Sequence, residues 1–391
     1  MTSDEPAAWR SSFPILEHTT YLVSHSLGAM PRAAADGLAD YADTWARRGV
    51  RAWHEGWWDL PRAMGDAVGR VIGAPSGTVV MQPSVSIAQS VIASCLSYDG
   101  PRNTVVFEAM QFPSVGYVWE AQRAAGARIR TVPSPDGITV PLEGFLEAID
   151  ETTLLVPLSH AVFRSGFVQD VAAITRRAHE LGAWVAVDLY QSAGTLPVDV
   201  TAWDVDFAVG GCLKWLCGGP GAAFLYVAPR HHSRLTPRVT GWAAHEEPFS
   251  FRTGPIAYAA DAARFLQGTP AVPALYAARS GLEIVQRLGV ASIRCQSVRQ
   301  MQMLVDLARE AGFRVRTPER AAERGGLAVI EGPEAWADAL ARREVLVDYR
   351  PDAGLRVSTH FYTTDDDIRR FIAELRAIRD GTPHKSHGGV A

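Results

Sequence analysis

The stretch AWVAVDLYQSAGTLPVDVTAWDVDFAVGGCLKWLCGGPGAAFLYV, residues 183–227, decides the architecture. It opens with an apolar run, 183–188, that ends at Asp188, and Gln191 follows three residues later. Two more apolar runs, 206–209 and 222–227, bracket Lys214 and the loop Gly218-Gly219-Pro220-Gly221. Short apolar runs between turn residues read as strands buried on both faces. Further strands are expected at 79–81, 104–107, 128–132 and 153–158. Between the last of these and 183–188, Val171, Ile174, Ala178 and Leu181 fall on one face of a helix. That order is a βαβ unit, and the chain reads as α/β with a mostly parallel sheet.

The 391 residues are 47% hydrophobic and 20% charged, which excludes disordered, collagen-like and coiled-coil chains. A net charge of -4 leaves no broad basic field, so nucleic acid is not an expected partner. No run reaches the ~18 apolar residues of a membrane helix, and MTSDEPAAWRSSF is too acidic and polar for a signal peptide. A cytoplasmic protein with no membrane partner is therefore expected. The four cysteines, Cys95, Cys212, Cys217 and Cys295, read as reduced thiols. Cys212 and Cys217 are spaced wider than CxxC, with no second ligand pair nearby, so no metal is expected.

After Gly268-Thr269-Pro270 the pattern changes to longer helices, 273–288 and 292–311, and then to a shorter β-and-helix segment. Ile368, Phe371, Ile372 and Leu375 give the last helix an apolar face, and the tail HKSHGGVA is expected to fray.

The C-terminal ends of parallel strands line the ligand crevice of an open α/β sheet, so Asp188 and Lys214 face one volume. This suits a pyridoxal 5'-phosphate (PLP) site. A lysine is needed to hold the aldehyde as a Schiff base and to move protons, and a buried carboxylate keeps the ring nitrogen protonated as an electron sink. Burial and nearby cations lower an amine's pKa toward neutrality. Gln191 is placed to donate to the ring's 3-oxygen. Residue types alone equally allow a strand-terminal Asp188 and a surface Lys214.

The stretch resembles the PLP-binding core of class V aminotransferase-type enzymes of fold type I, the group of kynureninase, cysteine desulfurases and isopenicillin N epimerase. The Asp-x-x-Gln of VDLYQSAGTLPVDV is similar to the desulfurases, and DVTAWDVDFAVGGCLKWLCGGPGAAF to kynureninase. YLVSHSLGAMP at 21–31 and RVSTHFYTTDDDI at 356–368 extend the likeness over most of the chain. It implies a mostly parallel seven-stranded sheet with helices on both faces and a small C-terminal α/β domain. The expected divisions are an N-terminal segment, 1–59, packing on the small domain and a dimer partner, a PLP-binding domain, 60–270, and a small domain, 271–391.

Position by position, the resemblance implies that Ser84 and Val85 in MQPSVSIAQ begin the helix that holds the cofactor phosphate. Free amides at a helix start suit that role, although Ser84 alone would read as a simple N-cap. Phe112 in EAMQFPSVGY matches the ring that stacks on the pyridine; otherwise it reads as core. Trp242 in VTGWAAHE and Thr269 in FLQGTP match residues that reach the phosphate in the neighbouring subunit, which implies a homodimer with shared active sites. Arg356 in GLRVSTHFYTT matches the arginine that clamps the substrate α-carboxylate, its alternative being a surface ion pair. His25 and Ser26, in SHSLG, border the substrate pocket in relatives.

The chain also departs from the pattern. No cysteine lies in the segment before Arg356, where a desulfurase carries its nucleophile. Leu213 stands where kynureninase has a tyrosine and many desulfurases a histidine, so a phosphate contact or proton donor is missing. Phe163 and Arg164 replace polar residues, Cys212 a phosphate-binding serine, and Gly268 a substrate-contacting asparagine of kynureninase. The expected activity is a PLP-dependent lyase reaction, Cβ cleavage of a cysteine S-conjugate or a kynurenine-like amino acid. The alternative is decarboxylation-coupled oxidative deamination or transamination of a similar substrate. Likeness to the enzymes that process cysteine conjugates in lincosamide assembly implies a place in antibiotic biosynthesis. RAWHEGWWDLP, at 51–61, with Trp53, His54, Trp57 and Trp58, reads either as domain packing or as substrate-facing. His231 and His232 in RHHSR, and the acidic run Asp365, Asp366 and Asp367 at a helix start, read as solvated.

Overall fold

The computed structural model describes residues 6–381; the expectation of a frayed HKSHGGVA tail lies outside the described residues. After a two-residue strand, β1 (Thr20–Tyr21), the chain builds the central sheet from β2 (Val79–Gln82), β3 (Thr104–Glu108), β4 (Arg128–Val132), β5 (Thr153–Ser159), β6 (Trp184–Asp188), β7 (Phe207–Gly211) and β8 (Ala223–Val227). Their order is β2-β8-β7-β6-β5-β3-β4. Only β8 runs against its neighbours; the rest pair in parallel.

Period-2 alternation explains why both faces are covered. Val105, Phe107, Leu155, Ala186, Val209 and Leu225 pack on one face beneath the helices Val85–Ser94 and Pro113–Ala121. Val106, Val156, Val185, Val187, Ala208 and Phe224 pack on the other, beneath Leu60–Ile72, Val171–Glu180 and Val272–Leu288. No described helix is long and apolar enough to cross a membrane.

The C-terminal third forms β9 (Leu327–Ile330), β10 (Val345–Leu346), β11 (Asp348–Arg350) and β12 (Gly354–Ser358). The last two form a hairpin, and β12 also pairs antiparallel with β9. The helices Val290–Glu310 and Asp365–Arg379 cover this sheet around Leu304, Leu355 and Phe371. β1 pairs in parallel with β10, so residues 20–21 are held to residues 345–346 across more than three hundred positions.

Two expectations of solvation are corrected. His231 is buried, its Nε2 2.6 Å from Asp206 Oδ1 and its ring stacked on Phe207. His232 is also buried, with Nε2 2.9 Å from the Val227 carbonyl. Asp206, itself buried at the foot of β7, draws His179, Arg230 and His231 around its charge, and such a long-range need leaves no mark in RHHSR. In the acidic run, Asp367 turns inward to close a capping box with Thr364 and to pair with Arg10.

The loop after β1 reaches the crevice through one close approach. The Gly28 amide donates to the Leu213 carbonyl at 2.8 Å, and a Cβ on Gly28 would lie 2.1 Å from the Lys214 carbonyl oxygen. Gly28→Ala should therefore cost about 1–3 kcal/mol by overpacking, read as a lower midpoint in urea, together with weaker retention of PLP in equilibrium dialysis.

Candidate active site

Strand ends assemble the site. Asp188 closes β6, and Lys214 sits in the turn after β7, whose other end is held by the Gly218 amide donating to the Cys212 carbonyl. Both face a cavity of about 290 Å³ that is also lined by His25, Ser26, Ser84, Val85, Phe112, Gln191, Arg350 and Arg356. Nine of the eleven residues singled out in the sequence thus meet in one space. Thr269 lines a separate cavity of about 670 Å³, with Trp58. Trp242 packs against Trp58, ring centroids 4.7 Å apart, outside the Lys214 cavity.

Burial sets the electrostatics. Asp188 is buried and its Oδ1 accepts the Tyr190 amide at 2.7 Å. Desolvation pushes its carboxyl pKa up, and Lys214 pulls the other way. Desolvation lowers the Lys214 amine, opposed by Asp188 and assisted by Arg356. The amine nitrogen lies 4.8 Å from the Tyr190 ring centre and 5.5 Å from that of Phe112.

Gln191 is oriented by a neighbour that can only donate: Trp215 Nε1 reaches its Oε1 at 3.1 Å. Its Nε2 therefore faces the His25 carbonyl at 3.0 Å, with one N–H left over. Ser84 is the N-cap of Val85–Ser94, its Oγ accepting the Ile87 amide at 3.3 Å. The first amides of that helix have no acceptor within it and open on the cavity.

Arg356 is buried, and its guanidinium is already engaged. Cross-strand register sets Asp348 of β11 opposite Arg356 of β12. Nε donates to Asp348 Oδ1 at 2.8 Å, Nη2 to Oδ2 at 2.5 Å, and Nη1 to the Phe163 carbonyl at 2.8 Å. Three of five N–H groups are used, and one on each terminal nitrogen remains. His25 Nε2 lies 2.9 Å from Asp348 Oδ1, and its Nδ1 lies 2.8 Å from Ser358 Oγ. Burial, assisted by Arg356, lowers the imidazole to about 4. The neutral ring then donates to Asp348 and accepts from Ser358. Burial works against the Asp348 charge, but hydrogen bonds from His25 and Arg356 outweigh it and hold the carboxyl well below its usual range.

Asp348 and Arg350 were missed in the sequence. The signal was there: Pro351-Asp352-Ala353-Gly354 between two short runs marks a hairpin, which places residue 348 across from residue 356. The tryptophan segment belongs to packing on this chain: Trp57 is buried with Nε1 3.2 Å from the Tyr276 hydroxyl, and Trp53 packs edge-on against it. None of its rings lines the Lys214 cavity.

A lysine, a strand-end carboxylate and a helix start with open amides stand around one cavity, and that donor set fits an anionic, aldehyde-bearing aromatic ring. The aminotransferase class-V family matches residues 20–371, and the chain belongs to that family. It is 32% identical to an uncharacterized aminotransferase, YcbU, of Bacillus subtilis (strain 168), over 95% of this chain and 98% of that one. It is also 32% identical to a kynureninase of Pseudomonas fluorescens, over 96% and 93%. Among solved structures, the apo cysteine desulfurase of Thermococcus onnurineus NA1 shares the fold at a TM-score of 0.86, 18% identity, and coverage of 96% and 98%. The protein is thus a PLP-dependent class V enzyme acting on amino acids.

Glu108, at the end of β3, is fully buried behind Ser159; Oε1 accepts the Ser159 amide at 3.0 Å and Oε2 has no partner among the described residues. Desolvation raises its pKa from 4.5 to about 7. The stability it contributes is full below about pH 4.5 and is lost as pH rises through about 7. Glu108→Gln, which stays neutral, should gain on the order of 2 kcal/mol over wild type between pH 5 and pH 8, measured as the difference between the two unfolding free energies at each pH.

Proposed function

We propose that the enzyme cleaves the side chain of an α-amino acid at Cβ, with a cysteine S-conjugate or a kynurenine-like compound as substrate. The observation that carries this reading is the meeting of Lys214, Asp188 and a half-committed Arg356 in one cavity. Bound PLP supplies an electron sink for charge left at Cα. Asp188 would hold the positive ring nitrogen, and the Val85 and Ser86 amides with Ser84 the phosphate. The two free N–H groups of Arg356 would take the substrate carboxylate at two points, which fixes both its position and its orientation. A carboxylate retained in this way favours proton loss at Cα over release of CO2. The Lys214 amine, made less basic by burial, is the group that takes the proton.

The leaving group favours sulfur. A thiolate departs without prior protonation, which suits a site where Leu213 replaces a tyrosine. No cysteine lines the cavity; Cys212 and Cys217 are buried elsewhere, and burial pushes the Cys212 thiol up to about 12. Sulfur would then leave in the product rather than on an enzyme thiol. The likeness to YcbU favours the second reading, transamination or decarboxylation-coupled deamination.

Wild-type protein should absorb in the visible with PLP, and Lys214→Ala should lose that band. Given S-substituted cysteines and kynurenines, it should release pyruvate and a thiol, or alanine and an aromatic acid. Oxygen-dependent CO2 with an aldehyde, or a keto acid retaining the side chain, would select the second reading. Arg356→Ala should raise KM about 10- to 100-fold, checked with the same assay.

The reading also makes the enzyme a homodimer. Trp242, Phe249 and Phe251 form a partly exposed aromatic face beside Trp58, with Phe251 71% exposed. Sedimentation equilibrium should give twice the 42.4 kDa chain mass, and a monomer at working concentration would contradict shared sites.

A further inference from the structure

By the resemblance, Leu213 removes a phosphate contact or proton donor, and beside the cavity stands a phenol without a hydrogen-bond partner among the described residues. Tyr190 lies in the turn after β6, where Asp188 Oδ1 takes its amide. That bond fixes the residue so that its ring runs along the cavity, 4.8 Å from the Lys214 nitrogen. With the Phe112 ring 5.5 Å from the same atom, the amine stands between two aromatic walls.

The hydroxyl end of the ring is as informative. It reaches Gly211, the last residue of β7, so closely that a Cβ there would lie 2.3 Å from the oxygen. Gly211 stands three residues before Lys214, and its missing side chain is what lets the phenol in. The Tyr190 hydroxyl has no hydrogen-bond partner among the described residues, although most of the ring is buried. Desolvation raises its pKa far above the ordinary range, so the group is a donor at any working pH. It lines the same cavity as Ser84, Val85 and Ser86, where the helix amides open. Ser84 Oγ accepts from Ile87 and keeps its own O–H free to donate, so the phenol would join the Ser84 hydroxyl and the helix amides around one anion.

We propose that Tyr190 anchors the cofactor in place of the missing tyrosine. Its ring forms the wall opposite Phe112, and its hydroxyl donates a hydrogen bond to the PLP phosphate. A phenol donating to a dianion makes a charge-assisted bond, stronger than a neutral one. The inference rests on the Lys214 cavity being the cofactor site. Tyr190 acts by binding and positioning; it takes no part in proton transfer at Cα.

The test separates phosphate from ring. Apo-protein is titrated with PLP and with pyridoxal, the same aldehyde without the phosphate, following the visible band and the heat of binding. Tyr190→Phe keeps the wall and removes the donor. It should weaken PLP about 10- to 100-fold and leave pyridoxal unchanged. Tyr190→Ala should weaken both aldehydes relative to Tyr190→Phe, and circular dichroism should show both variants folded. Equal loss for the two aldehydes in Tyr190→Phe, or none for either, overturns the phosphate contact. A Tyr190→Ala variant no weaker than Tyr190→Phe overturns the wall. Wild type that forms no visible band with either aldehyde overturns the assignment of the cavity itself, whereas a wild type that binds PLP while Tyr190→Phe is unaffected overturns only the role of Tyr190.

Discussion

Charge held out of water is the constraint from which the rest of the site follows. Asp188, buried at a strand end, and the half-buried Lys214 in the turn after β7 each carry a charge that burial makes costly to keep alone. Their mutual field and the Tyr190 amide on Asp188 reduce that cost, while the Arg356 charge adds to it at Lys214. The mostly parallel sheet makes the arrangement possible because β5, β6 and β7 end at the same edge of the crevice. The turn that carries Lys214 is then held from outside by the Gly28 amide.

The same constraint explains how the substrate side is organised. A chain of hydrogen bonds runs from the Trp215 indole to Gln191, from Gln191 to the His25 carbonyl and from the His25 ring to Asp348, which also accepts from Arg356. It joins residues from the β6–β7 region, the loop after β1 and the C-terminal hairpin. The groups on the cofactor side and the groups on the carboxylate side are therefore oriented by one network. Asp348 also keeps Arg356 from carrying an unpaired charge into the cavity before a substrate arrives, at the expense of two of its donors.

Much of this was legible in the residues. All seven sheet strands appear within two residues of the expected runs; those buried on both faces leave continuous apolar stretches, whereas the edge strand β4 does not. Asp188 and Lys214 could be placed on one edge because strand ends mark themselves by a polar residue after an apolar run. What could not be read was partnership across long separations. His231 looks solvated in RHHSR until Asp206 is found buried beside it. Arg356 resembles an open clamp until β11 brings Asp348 to it. Tyr190 passes as one more core aromatic until Gly211 is seen to leave room for its hydroxyl. Trp242 and Thr269, matched to a neighbour's cofactor, lie apart from this chain's own Lys214 cavity.

The pairing of β1 with β10 has a consequence for how the protein is made. His25, just after β1, finds its ring partners at Asp348 and Ser358, more than three hundred residues later. Domains fold as they emerge during synthesis, N-terminal parts first. All seven strands of the central sheet lie before residue 228, whereas the partner strand of β1 begins at Val345. In a growing chain Lys214 and the strands around it precede Asp348 and Arg356, the carboxylate side of the cavity, by more than a hundred residues.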